Sequence, residues 1–213
     1  MSYSQLFILN KNLEVAQKPE WQNSWLFPIP VFKYLINKYA SEEEKQKALQ
    51  EAKKYQLEGS IDEEYPINPI TFFMFDTNNA KFREINNKIN NSEILVDRIG
   101  WELVNQQMFR SSDKNLVAAA ICELQEKIKA DEERFSEIAA EIRNIDENEN
   151  PFFIFKNNTI DDSVEKYFDY YNEETDDWEQ RSLKDYQGEI GFGLVVLEDG
   201  KMLFEKPLQG VEA

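Results

Sequence analysis

An α+β fold is what this sequence predicts, helix-rich and with a small antiparallel sheet that includes a C-terminal β-hairpin. Three observations lead there. Short apolar and aromatic runs, YSQLFIL at 3–9 and PFFIFKN at 151–157, have the length and residue types of strands. The runs GEIGFGLVVL and KMLFEK flank Glu198, Asp199 and Gly200, and Asp-Gly between apolar runs signals a type I′ hairpin. Between these ends, apolar residues recur at spacings of three and four, the period of helices packed on one face.

Taken in order, residues 3–9 form the first strand. The following KNLEVAQKPEWQNSWLFPIP reads as a packed irregular segment, because Pro19, Pro28 and Pro30 interrupt any helix while Trp21, Trp25 and Phe27 need cover. VFKYLINKY, Val31 to Tyr39, suits a helix opening just after Pro30. Ser41 to Glu44 is a capping box that opens a largely exposed helix, SEEEKQKALQEAKKY, with Glu leading and Lys trailing as the helix dipole favours. A turn-rich connector from Gly59 to Pro69 precedes ITFFMF, read as a buried strand. Asp76 or Thr77 caps a helix through about Asn90, with Phe82, Ile85 and Ile89 inward. Ser92 caps another carrying Ile94, Leu95, Ile99, Leu103 and Val104, in which Gly100 is unfavourable.

The clearest periodicity runs from Ser112 to Ile145: Val117, Ile121, Leu124 and Ile128, then Phe135, Ile138, Ile142 and Ile145, with Asp131 out of place. An uninterrupted helix of that length would reach roughly 50 Å at 1.5 Å per residue. It therefore either crosses the domain or breaks near Asp131 into a helical hairpin packed within the chain. A homodimer through a coiled-coil seam at 112–145 is the alternative, since the apolar positions obey a heptad. DENENP ends the helix, PFFIFKN follows, and Asn158 or Thr159 caps a helix through about Asn172. Its inward stripe is Val164, Tyr167, Phe168 and Tyr171. No internal repeat or linker interrupts the chain, so a single domain over 1–213 is expected.

Composition narrows the function. Of 213 residues, 41% are hydrophobic and 13% aromatic, enough to bury a core despite 31% charged residues. The absence of His removes Ser-His-Asp and Cys-His catalysis and His-ligated zinc. Phosphate loops, dinucleotide turns, HExxH and CxxC are likewise missing. The run Gly188, Gly191 and Gly193 leads into a strand former, so these glycines serve close packing rather than a pyrophosphate. Asp146, Asn148 and Asn150 start like a calcium loop, but Pro151 and Asn157 occupy its glycine and bidentate-glutamate positions. Glu198, Asp199 and Lys201 at a hairpin tip do not make a nuclease centre. No cofactor and no metal are expected. The start, MSYSQLFILNKNLEV, lacks the basic and apolar regions of a signal peptide, and no run is long enough to span a bilayer. The one cysteine, Cys122, sits in an apolar helix and reads as a small buried hydrophobe. A reducing, cytoplasmic location fits.

Charge is the remaining signal. Residues 1–60 hold 8 basic and 7 acidic side chains, residues 61–145 hold 10 and 16, and residues 146–213 hold 6 and 18, within a formal total of −17. In the last third, Asp161, Asp162, Glu165, Asp169, Glu173, Glu174, Asp176, Asp177 and Glu179 face only Lys166, with Tyr167, Phe168, Tyr170, Tyr171 and Trp178 interleaved. Such a surface repels nucleic acid and anionic membranes and attracts a basic protein. Its partner-binding residues are expected to be Asp162, Glu165, Asp169, Tyr170, Glu173, Asp176, Asp177 and Trp178. In character rather than by motif, the profile is similar to bacterial immunity proteins, small acidic antidotes of basic toxins. That likeness implies a non-enzymatic protein inhibitor. The alternatives are a phage-type nucleic-acid mimic that blocks a DNA-binding protein, and a metal-dependent enzyme using carboxylates only.

Overall fold

Strand β1 (Tyr3–Leu9) falls where the sequence predicts, and its side chains divide between two cores: Leu6 and Ile8 enter one, Phe7 and Leu9 the other. A strand buried on both faces needs cover on both sides of its sheet. The computed structural model describes residues 3–54, 80–129, 132–157, 165–198 and 201–205. After β1 come β2 (Val15–Gln17), β3 (Glu20–Gln22), α1 (Pro28–Tyr39), α2 (Glu42–Lys54), α3 (Ala80–Asn90), α4 (Leu95–Val104) and β4 (Met108–Arg110). Then follow α5 (Lys114–Ile128), α6 (Glu132–Asn144), β5 (Phe152–Asn157), the single-turn α7 (Glu165–Phe168), β6 (Asp169–Asn172), β7 (Asp177–Gln180), β8 (Leu194–Glu198) and β9 (Lys201–Glu205).

Seven strands make one sheet in the order β2-β1-β5-β4-β8-β9, with β3 sharing the outer edge of β1 with β2. The α+β class holds. The sheet, however, is mixed rather than purely antiparallel, because β4 and β8 run parallel with Met108 opposite Leu194. The C-terminal hairpin pairs Glu198 with Lys201, leaving two residues between its strands, as Asp-Gly requires.

One face of the sheet, carrying Phe109, Phe153, Phe155 and Val195, packs under the helices. Those helices contribute Val31, Phe32 and Leu35 from α1, Ile85 and Ile89 from α3, Trp101 and Leu103 from α4, and Val117, Ile121 and Leu124 from α5. Phe135, Ile138 and Ile142 complete the layer from α6. Each such side chain, fully buried, stabilises the fold by roughly 1.5–3 kcal/mol. The long periodic segment breaks as one of its two readings requires. α5 stops at Ile128, Lys129 takes a left-handed φ of 53°, and α6 returns antiparallel, so that Lys114 Nζ donates to the Ile145 carbonyl at 2.5 Å. Its heptad-spaced residues are buried within the chain, Ile128 in part. Asp131 lies outside the described residues.

Several local expectations change. α1 opens at Pro28 rather than after Pro30, since a proline in the first turn gives up no hydrogen bond. The supposed irregular segment contains β2 and β3, because the upper edge of β1 would otherwise go unpaired. There Trp21 and Phe27 are buried, but Trp25 stays 46% exposed. Ser92 does not cap α4: Ile94 holds the N-cap position without a side-chain bond, and Ser92 Oγ accepts from Ile94 N at 3.3 Å, ahead of the helix. Gly100 lets α4 and α5 approach closely, for a Cβ there would lie 2.6 Å from Leu124 Cδ1. α1 and α4 are also tied by Asp97, buried and bound to Lys38 Nζ at 2.5 Å and to the Tyr39 hydroxyl at 2.7 Å. Desolvation lowers the Lys38 pKa, and the bonds with Asp97 and Tyr34 outweigh it, leaving the value raised. The Gly59–Pro69 connector, the ITFFMF strand, the Asp76 or Thr77 cap and the caps at Asn158 or Thr159 lie outside the described residues.

The helix expected through Asn172 is overturned. Among the described residues of that stretch, only Glu165–Phe168 is helical, and the chain then extends into β6, which pairs with β7 from Asp169↔Gln180 to Asn172↔Asp177. Tyr171, placed on the inward stripe by helical spacing, is 47% exposed. Among the described residues, no helix is long and apolar enough to cross a membrane.

Candidate functional site: an acidic hairpin on the second face of the sheet

The second face of the sheet presents Phe7, Leu9, Met108, Ile154, Leu194 and Val196. What covers it is the segment that follows residue 164. Phe168 stacks on Phe7 with ring centroids 5.5 Å apart, and Tyr167 meets Phe192 edge-on at 5.1 Å. The Tyr167 hydroxyl accepts from Gly191 N at 2.8 Å, and a Cβ at Gly191 would lie 2.9 Å from that oxygen. The close-packing role expected of this glycine is thus met. Leu183 adds to the cover, and its amide donates to the Leu13 carbonyl at 2.9 Å.

From this base the β6–β7 hairpin extends. Alternation along the two strands gives it two faces. On one face Tyr171 and Trp178, directly opposite in register, form an edge-on pair with centroids 5.8 Å apart, and Trp178 is 68% exposed. On the other, Glu179 accepts from the Tyr170 hydroxyl at 2.7 Å, Asn172 Nδ2 at 2.7 Å and Thr175 Oγ1 at 3.0 Å. These donors hold its carboxyl below the usual 4.5. The bond to Glu179 in turn raises the Tyr170 phenol, with desolvation adding to it. The bonds therefore stay formed above the ordinary carboxyl range and are lost only as pH falls through the lowered value.

The four-residue tip, Glu173–Asp176, closes with Asp176 at φ 57°, a left-handed conformation that aspartate tolerates better than most residues. Asn172 Oδ1 accepts from Glu174 N at 2.9 Å, and the Tyr171 hydroxyl donates to Asp176 Oδ1, which raises the Tyr171 phenol.

Of the expected partner-binding residues, six come together on this hairpin. Glu173, Asp176, Asp177 and Trp178 are exposed at its outer end. Tyr170 and Asp169 are half-buried at its root, where Asp169 faces Lys18 at 3.9 Å. Glu165 opens α7, away from the tip, and Asp162 lies outside the described residues. Two residues outside the expected partner-binding set matter as much, Glu179 from the acidic run itself and Arg181 beyond it. Glu179 ties the hairpin together, and Arg181 anchors its root. The Arg181 guanidinium donates to the carbonyls of Lys166 and Tyr167 and lies over the rings of Tyr170 and Tyr186 at 5.4 and 4.9 Å. As the first cation after a run of acids, Arg181 was the available clue.

Comparison with protein-family models, curated proteins and solved structures finds no match. Among the described residues, no group of three or more Cys, Asp or Glu side chains is placed to hold a metal ion.

Beside the hairpin root lies an open cleft of about 570 Å³ lined by Asn10, Glu14, Val15, Tyr170, Gln180, Arg181, Ser182 and Asp185. Its far wall is the β1–β2 turn, which is stiffened by Asn10: its side chain accepts from Asn12 N at 2.8 Å and from Glu14 N at 3.1 Å. Ser182 Oγ fastens that turn to the near wall by donating to the Asn12 carbonyl at 2.5 Å.

Proposed function

We propose that this chain is a non-enzymatic binding protein that inhibits a basic partner, as an antidote neutralises a basic toxin or effector, and that the β6–β7 hairpin makes the contact. One observation carries the reading: a single hairpin presents an exposed Tyr171–Trp178 pair on one face and exposes Glu173, Glu174 and Asp177 at the same outer end. Among the described residues none of these three acids has an ion pair. Aromatic anchors supply most of the energy at protein interfaces, and surrounding carboxylates speed encounter with a cationic surface. A rigid scaffold keeps the ordering cost small, since the hairpin is already hydrogen-bonded before any partner arrives. Antidote complexes are among the tightest known, so few anchors of this kind suffice when they are preorganised. A cytoplasmic setting accords with the single free Cys122.

The test uses the full chain as bait in a lysate of its host, beside Trp178→Ala and a Glu173→Gln, Glu174→Gln, Asp177→Asn triple variant. The expected result is a basic protein captured by the native chain, released by raised salt and lost with either variant. With that protein purified, Trp178→Ala weakens affinity about thirtyfold or more, on the order of 2 kcal/mol. Equal capture by all three baits overturns the reading. A captured protein that duplex DNA displaces from the bait would make the chain a nucleic-acid mimic instead.

A further inference from the structure

The cleft at the root of the hairpin has no part in the contact described so far. We infer that it receives an arginine or lysine side chain of the docked basic partner, an assignment that rests on the docking reading.

Size comes first: about 570 Å³ falls within the range of sites that enclose small groups. The lining then limits what can enter. Only Val15 and the Tyr170 ring offer apolar surface, and the other six residues are polar or charged, so an apolar occupant would strand hydrogen-bonding groups. An anion is disfavoured because the carboxylates of Glu14 and Asp185 outnumber Arg181, the one cation of the lining, which is turned to the Lys166 and Tyr167 carbonyls and two aromatic rings. The carboxylates, by contrast, have acceptor capacity to spare. Glu14 uses Oε2 to accept from Asn10 Nδ2 at 3.0 Å, and the exposed Asp185 carboxylate has no bond among the described residues. They come from separate segments, the β1–β2 turn and the 3₁₀ turn Leu183–Asp185, which Ser182 and Leu183 bind together. A cation between them gains charge-assisted hydrogen bonds while keeping part of its water in an open cleft. The surrounding field favours it further, because the cleft adjoins the most acidic hairpin of the chain. Its position completes the geometry: Tyr170 and Gln180 line the cleft and also belong to β6 and β7, so a partner held at the tip extends toward it.

The probe is Nα-acetyl-arginine amide, whose only charge is the guanidinium, titrated into the ¹⁵N-labelled full chain beside the neutral Nα-acetyl-citrulline amide. Shifts confined to the amides of residues 10–15 and 180–186, saturating for arginine and absent for citrulline, are expected. Glu14→Gln/Asp185→Asn should weaken that binding at least about tenfold, while Trp178→Ala leaves it unchanged. Both substituted side chains are exposed, and an unaltered spectrum elsewhere verifies the fold. Equal shifts for the two ligands, shifts centred on the tip, or indifference to the double variant would each overturn the assignment. If the probe fails while Trp178-dependent capture succeeds, the cleft alone is dismissed. If the probe binds as expected and capture fails, the cation site stands and the docking reading falls.

Discussion

Glu102 is buried at 4% exposure within α4, and its Oε1 has no hydrogen-bond partner, nor has the buried Oδ1 of neighbouring Asn90. Burial pushes the carboxyl up from 4.5 to about 7, with an Asn90 hydrogen bond pulling the other way. Between those two values the folded chain binds a proton that the unfolded chain has released, so stability falls as pH rises through that window and levels off above it. The burial penalty at pH 8 is then roughly 3 kcal/mol. Glu102→Gln removes the charge, keeps a carbonyl oxygen to accept from Asn90, and adds an N–H group where the carboxylate leaves one oxygen without a partner. The variant is expected to be more stable than the native chain by up to roughly that amount at pH 8 and equal to it below pH 4.5. Urea unfolding at the two pH values measures this directly. A gain that is the same at both would mean that shape rather than charge governs the site. Nothing in the local pattern WELV distinguishes Glu102 from a solvated helical acid; only the packing of α3 against α4 does.

Elements were legible where their cause is local. Ser41 and Glu44 make the capping box as the sequence implies, with Glu44 N donating to Ser41 Oγ at 3.3 Å and Ser41 N to Glu44 Oε2 at 2.6 Å. Ser41→Ala should therefore cost about 1 kcal/mol, and Ser41→Thr, which keeps an acceptor, less than half of it. The shift in urea midpoint reads both, and equal losses for the two would show that the bonds across the box contribute nothing. β1, β5 and the β8–β9 hairpin were legible for a similar reason, each having enough residues in one pattern. β4 was not, because MFR is three residues long and exists as a strand only by lying between β5 and β8. β6 failed in the opposite way. Val164, Tyr167, Phe168 and Tyr171 fit a helical stripe, and the extended form wins because residues 177–180, beyond any helical window, pair with 169–172. The density of acids and aromatics thus fell on the hairpin proposed as the contact surface, while the shape of that hairpin came from pairing. The cleft was beyond reach, since Glu14 and Asp185 line one space only after folding has brought together segments far apart in the chain.

At the scale of the molecule, both cores hang on the same strands. Phe7 faces the second core and its neighbours Leu6 and Ile8 the first, and the same alternation recurs at Phe153, Ile154 and Phe155 in β5. A disturbance on one face therefore reaches the other through a shared backbone. Phe168 tests this, being fully buried against Phe7 and accepting the amide of Arg181 through its carbonyl at 2.7 Å. Phe168→Ala should cost about 3–5 kcal/mol, a large share of the stability of an ordinary domain. Because the sheet is common to both layers, the loss is expected as one cooperative transition at lower urea. The Trp178 indole signal by NMR, which follows the hairpin, and far-UV circular dichroism, dominated by the helices, should then move together. A variant in which the indole signal changes early while the helical signal keeps its native midpoint would show instead that the hairpin layer melts by itself. In that case the tip would be presented by a loosely held flap, and the affinity expected of a preorganised anchor would shrink with it.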